Sequence, residues 1–166
     1  MDKQLNNDGF LLSKNGHYCK TKLGSLFDID KRIPINYHLS DTMNEREILI
    51  LQLKYVNEGD TLIMDGGYYS KKLIGILIDR KINYIFRTPI SNMYVIEYIS
   101  DSNVFDVYSD NNNKNKCKIV KYIKNNEDRY LLTNLINCSS KIINNDYIGR
   151  WVTKSSIFNL KFLRNC

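Results

Sequence analysis

The sequence contains no alanine, and only one tryptophan and two prolines, in 166 residues. Asn, Ile, Lys and Tyr together supply 71 of those positions. All four have AT-rich codons, so the missing alanine reads as genome bias, and runs such as "NNNKNK" carry no functional weight by themselves. The four cysteines, Cys19, Cys117, Cys138 and Cys166, include no CxxC pair, which argues against a zinc site. His17 and Cys19 lie close, but two potential ligands do not make a metal centre. No window approaches the roughly eighteen consecutive apolar residues of a membrane span. The first twenty residues hold only the short apolar run "FLL", so no signal peptide is expected. These absences predict a soluble, intracellular protein in a reducing compartment.

What remains is ordinary for a globular chain. The hydrophobic fraction is 43%, and the length is enough for one domain with a real core. The net charge of +6 and pI near 9.0 lean toward an anionic partner, although a merely basic surface carries equal weight.

Short β-branched or aromatic runs at 22–28 ("KLGSLFD") and 33–39 ("IPINYHL"), joined by "DIDKR", predict a strand pair. Thr42 and Glu45 have capping-box spacing before a helix expected over 43–57. "TLIMD" (61–65) reads as a buried strand, "GGYYS" as a turn, and Ser70 as the cap of a helix over 71–80. "INYIFR" (82–87) is a further strand. The order β-β-α-β-α-β indicates a mixed α/β sheet with flanking helices. Residues 88–128 break that rhythm with "MYVIEYI", "VFDVY" and "CKIVKYI" and read as a small β-rich insertion. "RYLLTNLI" (129–136) resumes a buried strand, and a closing helix is expected over 142–163.

Two places carry chemistry. Asp65 ends a buried strand and precedes two glycines, and in open α/β sheets ligands bind beyond the carboxyl ends of strands. An acid there can hold a metal, or it can simply cap the turn. In the closing helix, Tyr147, Arg150, Lys154 and Lys161 have offsets of 0, 3, 7 and 14. At 100° per residue they fall within about 60° of one another. That face has no acid: after Asp146 there is no Asp or Glu through Cys166.

Taken in order, "IPINYHLSDTMNERE", "DTLIMDGGYYSKKLIGILIDRKINYIFR", "RYLLTNL" and "YIGRWVTKSSIFNLKF" resemble the catalytic domain of DDE transposases of the IS-four insertion-sequence group. The resemblance spans about residues 8 to 163 of this sequence. It does not include the DNA-binding part that such transposases carry upstream, so a single catalytic domain over 1–166 is expected. "DGGY" at 65–68 is similar to the group's D-x-G-Y segment, which makes Asp65 the second catalytic acid. The group's usual Arg after that Asp is Gly66 here. Asp8, in "NNDGFLLSKNG", is the candidate for the first acid, ahead of Asp2, while Asp28 matches a non-catalytic acid. Tyr147, Arg150 and Lys161 match the helix that lies along the phosphate backbone, and Lys154 stands where the group has its third acid, a Glu.

The resemblance implies an RNase H-like fold and DNA transposition. The chemistry is cutting and joining of phosphodiesters with two Mg²⁺ or Mn²⁺ ions, roughly 3.5–4 Å apart, held by three carboxylates. It implies Asp8 and Asp65 as catalytic and metal-binding residues, Tyr147, Arg150 and Lys161 as DNA-binding residues, DNA as the partner, and a homodimer. A lysine at position 154 cannot ligate a cation and would repel one. The chain therefore reads as a degenerate transposase that does not cleave. The alternative is a non-catalytic nucleic-acid-binding remnant, in which Arg164 joins the basic residues of the last helix.

Overall fold

The computed structural model describes residues 21–88, 104–109 and 111–150, together with Asn7. They belong to two compact units, residues 1–55 and 56–166.

In the first unit, β1 (Lys22–Asp28) and β2 (Ile33–Ser40) form the expected antiparallel hairpin, with a register shift between Leu26 and Phe27. Asp28 closes the turn by accepting from the Lys31 amide at 2.9 Å and pairing with its ammonium at 3.2 Å. That amide is the main reason its carboxyl is held below the usual range. Helix α1 (Glu45–Gln52) packs on the hairpin.

Its cap differs from the expected Thr42–Glu45 pair. Asn44, in extended conformation, accepts from the Arg46 and Glu47 amides, and Glu47 accepts from the Asn44 amide at 2.7 Å. The box is therefore built two residues later. The Thr42 hydroxyl instead lies 3.4 Å from that of Ser40. The helix also ends earlier than 57. The Leu53 amide is shared between the Leu49 and Ile50 carbonyls, and the chain tightens into a 3-10 turn over Leu53–Tyr55. Buried Gln52 ties the helix to both strands, donating to the Gly24 carbonyl at 3.2 Å and to Asn36 Oδ1 at 3.0 Å.

The second unit is a five-stranded mixed sheet. Strand β3 (Thr61–Met64) runs parallel to β4 (Asn83–Thr88), and the two are linked through α2 (Lys71–Asp79). Ser70 caps α2 as expected, accepting from the Leu73 amide at 3.1 Å. Strands β5 (Val104–Tyr108), β6 (Lys114–Lys124) and β7 (Glu127–Thr133) complete the order β3-β4-β7-β6-β5, with β7 antiparallel to β4. "VFDVY" and "CKIVKYI" thus extend this same sheet, while "MYVIEYI" lies outside the described residues. Helix α3 (Ser140–Gly149) stands at the start of the expected closing helix, with Ser139 as its N-cap and Arg150 as its C-cap; the rest of that expected span lies outside the described residues. A mixed α/β chain with a parallel strand–helix–strand step meets the expected fold class and is consistent with an RNase H-like fold.

Strand alternation decides what each sheet face carries. Tyr84, Phe86 and Thr88 share one face of β4, and Ile85 and Arg87 the other. Ile85 packs with Val120 of β6, Leu131 of β7, and Ile143 and Tyr147 of α3 in one buried cluster. The face that bears Arg87 is therefore the face that α3 covers. Lys118, on β6, is buried beneath the approach to that helix. Its ammonium donates to the Ile136 carbonyl at 3.0 Å and also to the Cys138 carbonyl, which ties down the loop that leads into α3.

Candidate functional site

Because β3 and β4 are parallel, their carboxyl ends lie side by side. Asp65 follows β3, and Arg87 lies near the end of β4. Helix α3 ends at the same place with Arg150 as its last cap. The three charged groups meet. Arg87 Nη2 lies 2.9 Å from Asp65 Oδ1, and Arg150 Nη1 lies 3.6 Å from Oδ2. Asp65 Oδ1 also accepts from the Gly66 amide at 2.7 Å and so caps the 3-10 turn Gly66–Tyr68. Asp65 therefore caps a turn and serves as a charge partner at once.

Gly66 allows this close approach. A Cβ built there would sit 3.0 Å from the Arg87 carbonyl oxygen and 3.5 Å from Arg87 Nε. A larger residue at 66 would push against the strand that presents the guanidinium.

Arg150 is held from behind by Tyr147, one turn earlier, with its guanidinium 4.6 Å from the ring centroid. Only 13% of the Arg150 side chain is exposed. The face read as polar in the sequence is half core: Tyr147 is buried, 5.8 Å from the Tyr122 ring, and its hydroxyl has no hydrogen-bond partner among the described residues. Burial, opposed by the Arg150 guanidinium and reinforced by the Asp65 carboxylate, pushes that hydroxyl up to about 12 from its ordinary 10.

The folded state thus favours the neutral phenol. The stability that follows is fully present below pH 10, the ordinary value, and is lost as pH rises through about 12. Tyr147→Phe is expected to flatten the fall in melting temperature over this alkaline range. At neutral pH it should raise stability by about 1 kcal/mol, because a buried hydroxyl without a partner is removed. Melting curves recorded across the range check both effects.

Asp146 is exposed on another side of α3 from Tyr147. Asp8, Lys154 and Lys161 lie outside the described residues. The structure brings together Asp65, Tyr147 and Arg150, and adds Arg87, whose part in the site the sequence reading missed. Two parallel strands whose carboxyl ends carry an acid and an arginine were the available signal. Among the described residues no three His, Cys, Asp or Glu side chains cluster. Among the described residues the site offers one carboxylate facing two guanidiniums, and that set by itself does not fit a divalent cation, which needs several anionic or neutral oxygens.

An acid presented beyond a parallel strand pair, with arginines from a neighbouring strand and a covering helix, stands where open α/β sheets bind their ligands. The family model described as "Transposase DDE domain" matches residues 8–158, and the chain belongs to that family. No curated protein and no solved structure matches the chain. Membership places the protein in DNA transposition, and the family's chemistry generally uses divalent metals. No helix among the described residues is long and apolar enough to cross a membrane.

Proposed function

We propose that this chain is a DNA-binding transposase domain, of the IS-four type, whose cutting centre has lapsed. The observation that carries this reading is the pairing of Asp65 with Arg87 and Arg150. The one family acid among the described residues is already occupied by cations supplied by the chain itself. Lys154, where the family resemblance puts the third acid, points the same way: a lysine there adds a positive charge where a metal would need a negative one.

What such a site can still do is hold phosphate. Two guanidiniums against one carboxylate leave a net positive charge, and phosphate oxygens match the guanidinium fork as well as a carboxylate does. The chain's overall charge of +6 favours the same polyanionic partner. Backbone contacts of this kind position DNA without reading its sequence. A homodimer remains an expectation of the family.

Incubating the purified chain with supercoiled and linear duplex DNA in Mn²⁺ or Mg²⁺ tests the loss of cutting. The expected outcome is intact DNA at all times sampled. Metal-dependent nicking that Asp65→Ala abolishes would sink the reading. Lys154→Glu is expected to remain inactive too, because Asp65 stays paired with two arginines.

A further inference from the structure

The hairpin of the first unit carries its polarity the wrong way round. Leu23 pairs with Leu39 and Ser25 with Tyr37, so these four residues share one face. Gly24 pairs with His38 and Leu26 with Asn36 on the other face. Helix α1 covers that second face: a Cβ on Gly24 would meet Ile48, and Gln52 donates to Asn36 Oδ1. Antiparallel sheets with one wet face send their polar residues to water. Here β2 sets Asn36 and His38 on the helix side and leaves Tyr37 38% and Leu39 59% exposed, with Leu23 beside them at 47%. Beyond the bulge, β2 continues with Ile33 and Ile35, each about half exposed.

Such a face has the wrong chemistry for DNA. Among the described residues it holds no cation at its centre: Lys22 stands at one end, and Lys31 and Arg32 belong to the turn at the other. A contiguous apolar face of this kind suits another apolar surface. Five large apolar side chains, about half exposed, present on the order of 450 Å². Two copies set face to face hide about twice that, and with their rims reach roughly 1,000 Å², where specific interfaces begin. Two sheets can stack in this way, about 10 Å apart, because α1 occupies only the opposite face of each.

We propose that this face is a homodimer interface, in which two copies pack Leu23, Tyr37 and Leu39 against one another about a two-fold axis. It gives a surface to the homodimer expected above, and it does not depend on the DNA-binding reading. A two-fold interface uses the same patch twice, and an apolar patch without fixed charges is complementary to itself. The net charge of +6 on each chain opposes pairing, so added salt should tighten the dimer. DNA binding has the opposite salt dependence.

Sedimentation equilibrium of the full chain, without DNA, is the test. The expected result is a reversible approach to twice 19.5 kDa, with a dissociation constant on the order of 1–10 μM that falls as salt is raised. Leu39→Lys is expected to weaken association at least about 100-fold, because the two-fold axis buries the unpaired ammonium twice. Leu23→Lys should do the same. Leu39→Thr, which trims apolar area without adding a charge, should weaken it about tenfold and covers the case of a poorly folded lysine variant. Leu51→Lys is the control. Leu51 is 45% exposed but sits on α1 and not on this face, so that variant should associate as the parent does.

The inference is overturned if the parent stays at 19.5 kDa up to about 1 mM, or if it pairs and both lysine variants at 23 and 39 pair equally well. It is also overturned if the parent is monomeric and Leu39→Lys and Leu39→Thr lower its melting temperature, since the face is then buried within the chain. A dimer that meets these expectations but has no affinity for DNA at low salt would remove the DNA-binding reading and leave this interface standing.

Discussion

Phe86→Ala is expected to lower the stability of the five-stranded unit by about 3–5 kcal/mol, the range for a buried phenylalanine truncated to alanine. Phe86 is fully buried in β4, between β3 on one side and β7 on the other, where it pairs with Met64 and Leu132. It also packs against two rings: Tyr84 at 5.3 Å and Tyr69 edge-on at 6.2 Å. No neighbour can close the space, because both flanking strands are fixed by their hydrogen-bond ladders. The loss therefore includes the cavity as well as the transferred area. Denaturant unfolding of the variant and the parent measures it. A cost below about 1 kcal/mol, within the range of surface substitutions, would show that β4 is not at the centre of this unit. The functional consequence is local, since the residue after Phe86 is Arg87 and the strand that loosens is the one that presents it.

The elements that sequence pattern predicts well are those whose signal is contained within them. The hairpin 22–40, the Ser70 cap and the strand over 83–88 rest on short runs of residue types with a clear period or a clear cap. The first helix was harder to place. Thr42 and Asn44 both stand three residues before a glutamate, and only the extended backbone at Asn44 decides which of them caps. The β6–β7 turn depends on two consecutive asparagines that adopt positive φ, in a chain where asparagine is too frequent to signal a turn.

The site shows the limit more sharply. Asp65 reads from sequence as either a turn cap or a metal-holding acid; in the structure it caps the turn and pairs with two arginines, Oδ1 serving both the Gly66 amide and Arg87 while Oδ2 faces Arg150. Arg87 lies 22 positions further along the sequence, so no local motif joins it to Asp65; their pairing follows only from the parallel register of β3 and β4. Tyr147 falls on the same helical stripe as Arg150, but angular position does not say what packs against the stripe. There the sheet does, so the tyrosine is core and the arginine is its exit. Lys118 is a buried lysine that pattern alone would place on a surface. Its role becomes visible once the loop carbonyls of Ile136 and Cys138 are seen above it.

Gly24→Ala is the second large effect expected, and it lies in the first unit. A Cβ at position 24 would stand 2.1 Å from Ile48 Cγ2 and 3.3 Å from Ile48 Cβ. The first distance is far inside van der Waals contact, and the atom it meets belongs to a β-branched side chain in a helix, which has essentially one χ1 well. Ile48 is 1% exposed, so it cannot swing outward to make room. Helix α1 must lift from the hairpin, and that strains the Gln52 bonds to Gly24 and Asn36. The expected cost is about 1–3 kcal/mol, the range for overpacking a filled core. The same substitution in an open strand would be neutral or stabilising, since alanine restricts the unfolded chain more than glycine. The sign therefore tests the packing directly. Ile48→Ala alone should cost about 2–5 kcal/mol by leaving a cavity. In the double variant the new methyl occupies part of that space, so the two costs should add to clearly less than their sum. Strict additivity would mean that Gly24 and Ile48 do not touch, and that the helix does not sit on β1 as described.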